Sequence, residues 1–134
     1  MRRRVFGTWV LLLLLAITLI GCGSREDENT ASYQQITAEE AKSMMEEQPD
    51  AVILDVREQD EYDAGHIPGA VLLPVDTINE ETAASVIPEK DTVVLVYCRS
   101  GNRSKTASKA LVDLGYTQIY EFGGIKDWPY EVEW

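Results

Sequence analysis

The chain has 134 residues, enough for one small domain with terminal extensions, and its 45% hydrophobic content suits a packed core. Twelve basic residues stand against 23 acidic ones, a formal charge of −11. That balance excludes nucleic acid and anionic lipid surfaces as preferred partners, because both are held by basic patches.

The N-terminus reads "MRRRVFGTWVLLLLLAITLIGCGSRED". Three arginines precede an apolar run from Val5 to Ile20, and small residues follow at Gly21, Cys22 and Gly23, which is the layout of a secretory signal. Within it, "LIGC" at Leu19–Cys22 resembles the lipobox of bacterial lipoproteins. That resemblance implies cleavage before Cys22 and acylation of this cysteine, giving residues 1–21 as signal peptide and a lipid anchor outside the cytoplasmic membrane. At about 0.8 kcal/mol per buried methylene, two or more acyl chains hold stably. The alternative is an uncleaved membrane anchor, since the run falls only slightly short of the ~20 residues of a span. Cleavage would leave 9 basic against 23 acidic residues, a formal −14. With Cys22 acylated, Cys98 is the single remaining thiol, so no internal disulfide, CxxC redox pair or cysteine-built zinc site is available.

Residues 22–35 are polar and unpatterned and read as a flexible tether. The domain then runs over 36–134. "ITAEEAKSMMEE" predicts a helix capped by Thr37, with Glu40 as reciprocal partner, broken at Pro49 and Asp50. "AVILDVR" is a continuous apolar strand of the kind covered on both faces. "EQDEYDAGHIPGA" gives a short helical turn and a Gly/Pro loop, "VLLP" a second short strand, and "INEETAASVIP" a helix closed by Pro88. "DTVVLVY" is the strongest β segment. A helix over Ser104–Leu114 stops at Gly115, "QIYEF" is another strand, and "GGIKDW" a last helical turn. Strands alternating with helices at this spacing predict an α/β fold, a mostly parallel central sheet with helices on both faces.

Cys98 stands where the strongest strand ends, and in open α/β sheets ligands bind at the carboxyl ends of strands. The loop "CRSGNRS" leads into a helix, so unpaired backbone N–H groups and the positive dipole end converge beside the sulfur. Gly101 permits the turn, and Arg99 and Arg103 add positive charge. Each of these favours thiolate over thiol, which predicts a reactive Cys98 rather than an inert buried one. Cysteine phosphatases use a related loop with five residues between cysteine and arginine, whereas four separate Cys98 from Arg103. The smaller ring suits one sulfur atom carried on the cysteine better than a phosphoryl group.

With "LDVREQDEYDAGHIPGA" at Leu54–Ala70, "YCRSGNRS" at Tyr97–Ser104 and "GGIKDW" at Gly123–Trp128, the segment 36–134 resembles a single-domain rhodanese, a sulfurtransferase. The resemblance implies Cys98 as nucleophile, a persulfide intermediate, an anionic donor such as thiosulfate, and a thiol or cyanide acceptor. It places the anion-holding amides on Arg99, Ser100, Gly101, Asn102, Arg103 and Ser104, with Arg99 and Arg103 attracting the donor. Arg57 looks like a basic residue at the site mouth, or else pairs with Glu58, Glu61 or Asp55. Asp55 and His66 are expected to support the loops structurally, Glu61 and Asp63 to face solvent, and Trp128 and Trp134 to pack. No metal or organic cofactor is implied. A persulfide carrier with little thiosulfate turnover, and a cysteine phosphatase or arsenate reductase, are the alternatives.

Overall fold

The structure, a computed structural model, describes residues 32–134; the expected signal peptide, Cys22 and most of the tether lie outside the described residues. Five strands are connected through four helices: β1 (Gln34–Gln35), α1 (Ala38–Glu47), β2 (Val52–Asp55), α2 (Gln59–Asp63), β3 (Val71–Leu72), α3 (Glu80–Val86), β4 (Val93–Cys98), α4 (Asn102–Asp113) and β5 (Gln118–Gly124). Short 3-10 turns follow at Val75–Thr77 and Ile125–Asp127. The strands form one sheet in the order β1-β5-β4-β2-β3, and every pairing is parallel. Gln34 and Gln35, which the sequence assigns to the tether, instead make the edge strand against Tyr120 and Glu121.

β4 is the middle of the sheet, and its alternation explains the layering. Val94, Val96 and Cys98 project into a cluster with Ala83 of α3 and with Ala107 and Leu111 of α4. Leu95 and Tyr97 project to the opposite side, against Ala41 of α1, Ile67 and Phe122. Both sides of the strand are therefore buried, which is why it reads as an unbroken apolar run. Each such side chain contributes about 1.5–3 kcal/mol when fully removed from water. Covering both faces requires a helix on each, so the chain must cross over between parallel strands.

Local signals set the ends of these elements. Thr37 Oγ1 accepts from the Glu40 amide at 3.1 Å, and the Thr37 amide donates to the Glu40 carboxylate at 2.8 Å, closing the predicted capping box. Asn79 and Thr82 do the same for α3. α4 differs: its N-cap is Gly101, at φ +102°, and no side chain caps it. The first amides of that helix are left for another acceptor.

Candidate active site

The acceptor is Cys98. Ending β4 on the α4 side, it is 1% exposed, and the Gly101 amide donates to Sγ at 3.0 Å. The positive φ of Gly101 folds the chain back over the sulfur, a conformation costly for residues with a Cβ. The Cys98 thiol donates to Ser104 Oγ at 3.4 Å. Burial raises the thiol, but the Ser104 hydroxyl and the amides of Ser104, Gly101 and Ser100 outweigh it, leaving its pKa below the ordinary thiol value. The sulfur is thus buried yet surrounded by polar hydrogens, a setting for an anion.

Three attachments hold the loop in this shape. Arg103 spans to α2 and donates both arms of its guanidinium to Glu61, at 2.6 and 2.9 Å. The hydrogen bonds from Arg103 push the Glu61 carboxyl down to about 2. The Lys126 amide donates to the Arg99 carbonyl at 3.2 Å, tying the loop to the turn after β5. Gly124 makes this approach possible, since a Cβ there would fall on the Arg99 carbonyl. Thirdly, the Ser104 hydroxyl donates to Glu121 Oε1 at 2.6 Å.

Beside the loop lies a cleft of about 550 Å³, lined by Arg57, Glu61, Ala64, Gly65, Arg99, Ile125, Lys126, Trp128, Tyr130 and Val132. Its lining mixes charged side chains with apolar and aromatic ones. Arg57 at its edge is 5% exposed and engaged with Asp55, Nε to Oδ1 at 3.0 Å and Nη2 to Oδ2 at 2.7 Å, while Nη2 also donates to the Gly65 carbonyl. Burial works against the Arg57 charge, and the Asp55 bonds more than restore it, so its pKa is raised. Asp55 also accepts from the Tyr97 hydroxyl at 2.7 Å, and burial with that bond holds the phenol well above its ordinary pKa. This network pins the 55–57 turn and, through Tyr97 to the Ile67 amide, the loop after α2.

Several sequence assignments change in this light. Arg103, expected to attract the donor, is paired with Glu61 through both terminal nitrogens, and Glu61, expected on a solvated face, forms the other half of that clamp. Arg57 has Asp55 as its partner among the three candidates. Among the described residues, the cleft-lining cations with no carboxylate partner are Arg99 and Lys126, and Lys126 was not singled out from sequence. His66 stacks on Tyr62 at 3.8 Å and bridges in antiparallel fashion to Glu133, with no bond to the Cys98 loop. Ser100 is exposed but reaches the sulfur through its amide, and Asn102 and Asp63 are exposed. Trp128 packs on Phe122 and Tyr130, whereas Trp134, expected to pack, is 85% exposed.

Glu121 too escaped the sequence reading. It is 2% exposed and lies at the heart of the site through Ser104. The available signal was a lone acid in the apolar run "QIYEF", in a strand flanked by others.

A family model for the Rhodanese-like domain matches residues 37–130. The sulfur carrier named YrkF from Bacillus subtilis (strain 168) is 32% identical over 112 residues, 83% of this chain and 59% of that protein. The chain thus spans somewhat over half of that relative. Thiosulfate sulfurtransferase PspE of Escherichia coli (strain K12) is 38% identical over 74 residues, 55% of this chain and 70% of its own length. Among solved structures, a rhodanese with anions from E. coli superposes with a TM-score of 0.58 at 32% identity, covering 62% of this chain and 96% of its own.

Proposed function

This chain belongs to the family of rhodanese-like domains, and on that premise we propose that it is a sulfurtransferase that carries sulfane sulfur as a persulfide on Cys98. The observation that carries this reading is the Gly101 amide 3.0 Å from a buried Sγ, at the uncapped start of α4. Fixed N–H groups aimed at a buried sulfur stabilise negative charge there without reorganising, the principle of an oxyanion hole.

In the first half-reaction the Cys98 thiolate attacks the outer sulfur of an anionic donor such as thiosulfate. The donor's S–S bond breaks, sulfite leaves with the electron pair, and Cys98 holds the persulfide. In the second, an acceptor thiolate or cyanide attacks the outer sulfur, the S–S bond breaks and Cys98 departs with its electron pair. Arg99 and Lys126 line the cleft and draw the anion in against the chain's overall acidity. With Cys98 the single thiol of the described residues, the persulfide is discharged by an outside acceptor. The protein acts outside the cytoplasmic membrane, held by lipid on Cys22.

The test is mass spectrometry of the intact protein after incubation with thiosulfate. One added sulfur on Cys98, absent in Cys98→Ser, is the expected result; no addition overturns the thiosulfate reading. The second reading, a sulfur carrier, is favoured by the likeness to YrkF. It takes hold if a thiol persulfide loads Cys98 while thiosulfate does not. Hydrolysis of an aryl phosphate dependent on Cys98 would instead favour phosphatase chemistry.

A further inference from the structure

We propose that Glu121, buried near the end of β5 and joined to Cys98 through Ser104, is a positioning residue that receives the proton Cys98 gives up on becoming an anion and returns it when Cys98 departs from the transferred sulfur. This rests on the sulfurtransferase reading for its purpose, but its geometry stands independently.

The Ser104 hydroxyl has one proton and several acceptors around it. Glu121 Oε1 is at 2.6 Å, the Gly101 carbonyl at 3.0 Å and the Gly123 carbonyl at 3.4 Å. The carboxylate is the nearest and the only charged one, so it takes the proton. Ser104 Oγ then turns its lone pairs toward Cys98, and the thiol donates to it. A continuous path of hydrogen bonds therefore runs from sulfur through Ser104 to Glu121. In that arrangement the thiol is protonated, and the Ser104 hydroxyl stabilises a thiolate only once its own proton has passed to Glu121 and it donates to the sulfur.

Forming the anion with Glu121 still ionised would place two negative charges no further apart than two hydrogen bonds, both shielded from water, which is expensive. The path offers a way round. The S–H bond breaks and its proton forms a new O–H on Ser104, while Ser104's former proton moves to Glu121 Oε1. One negative charge passes from carboxylate to sulfur, and none is added to the interior. Ser104 now donates to sulfur, and Glu121 donates to Ser104. When the acceptor thiolate attacks the outer sulfur of the persulfide, the S–S bond breaks and its electron pair remains on Cys98. As that pair builds up on the sulfur, the proton runs back from Glu121 through Ser104, so Cys98 leaves as the thiol.

The other partners of Glu121 are neutral. The Gly123 amide donates to Oε1 at 2.8 Å and the Gln35 side chain reaches Oε2 at 3.4 Å, both neutral groups. No cation pairs with Glu121 among the described residues. On the sulfur's side the charged group is Arg103, whose charge is felt by Cys98, with Glu61 and Glu58 behind it. A carboxylate buried only for structure would be costly without a countercharge.

The experiment is the rate of Cys98 alkylation by iodoacetamide across pH, in the wild type, Glu121→Gln and Ser104→Ala, with circular dichroism to establish folding. A pair sharing one proton titrates in two macroscopic steps. The wild-type rate should therefore rise twice, and Glu121→Gln should collapse the profile to one step. Ser104→Ala, which removes the bridge, should also lose the lower step, and it decides the matter if Glu121→Gln does not fold. A single-step wild-type profile, or two steps persisting in the variants, overturns the proposal. In sulfur-loaded protein, Glu121→Gln should slow release to a thiol by about 100-fold, the low end for a lost general acid; an unchanged rate also overturns it. Alkylation needs no sulfur donor, so a chain that accepts no sulfur from thiosulfate or a persulfide fails the functional reading without touching these profiles.

Discussion

Gly124→Ala isolates the contact that shapes the cysteine loop. Gly124 has φ −132° and ψ 152°, extended backbone that any residue adopts, so alanine brings no conformational strain. What the position lacks is room, because a Cβ would overlap the Arg99 carbonyl and press on the Ser100 amide. The loop must retreat, at a cost of about 1–3 kcal/mol for overpacking. Arg99 and Ser100 immediately precede Gly101, whose amide is 3.0 Å from Sγ, so the retreat opens that bond. A hydrogen bond to a charged group contributes about 1.5–3 kcal/mol. At about 1.4 kcal/mol per pKa unit, the Cys98 midpoint should rise by about one to two units. The assay is iodoacetamide alkylation across pH beside urea unfolding. Gly115→Ala, after α4 and away from the site, is the control: at φ +98° with only the Lys90 stem near its Cβ, it should cost about 1–2 kcal/mol of strain while leaving the midpoint in place. The reasoning fails if Gly124→Ala keeps the wild-type midpoint, or if Gly115→Ala moves it as far.

Glu61→Gln removes the carboxylate that holds Arg103. The folded carboxyl sits at about 2 against an ordinary 4.5, so its contribution is complete above pH 4.5 and disappears as pH falls through 2. The pair is a quarter to a third exposed, which limits that contribution to about 1 kcal/mol; urea unfolding at pH 7 should show the difference, and it should vanish near pH 2. Arg99→Ala and Lys126→Ala should each raise KM for thiosulfate several-fold, the effect shrinking as salt is added, with kcat nearly unchanged; steady-state kinetics at two ionic strengths checks this. Cys22→Ala should abolish incorporation of a labelled fatty acid, measured on the protein recovered from growing cells.

The fold was legible because its signals are local. Continuous apolar strands, a Thr37–Glu40 box and a Gly115 stop each act within a few residues, and they recur at the spacing of parallel crossover units. β1 was not legible, since two glutamines carry no periodicity and become a strand only because β5 offers an unpaired edge. The same divide runs through the site. The amide turn around Cys98 follows from its position between β4 and α4. The pairing of charges does not, because Arg103 and Glu61 are 42 residues apart and nothing local tells which carboxylate reaches the guanidinium.

That pairing alters the electrostatic argument for the site. Counting arginines near Cys98 suggests that full positive charges stabilise its anion, yet Arg57 and Arg103 each carry a carboxylate in close contact. Neither is a free charge beside the sulfur, and the groups that lower the Cys98 pKa are the Ser104 hydroxyl and the backbone amides of Ser104, Gly101 and Ser100. Those dipoles act only at short range, so they demand a loop that does not move. The three attachments, Arg103 to Glu61 on α2, Arg99 to Lys126 after β5, and Ser104 to Glu121 within β5, tie it to separate parts of the scaffold. The arginine of the loop thus serves the anion by rigidity rather than by charge, and losing Arg103 should weaken the site chiefly by letting the amides swing away.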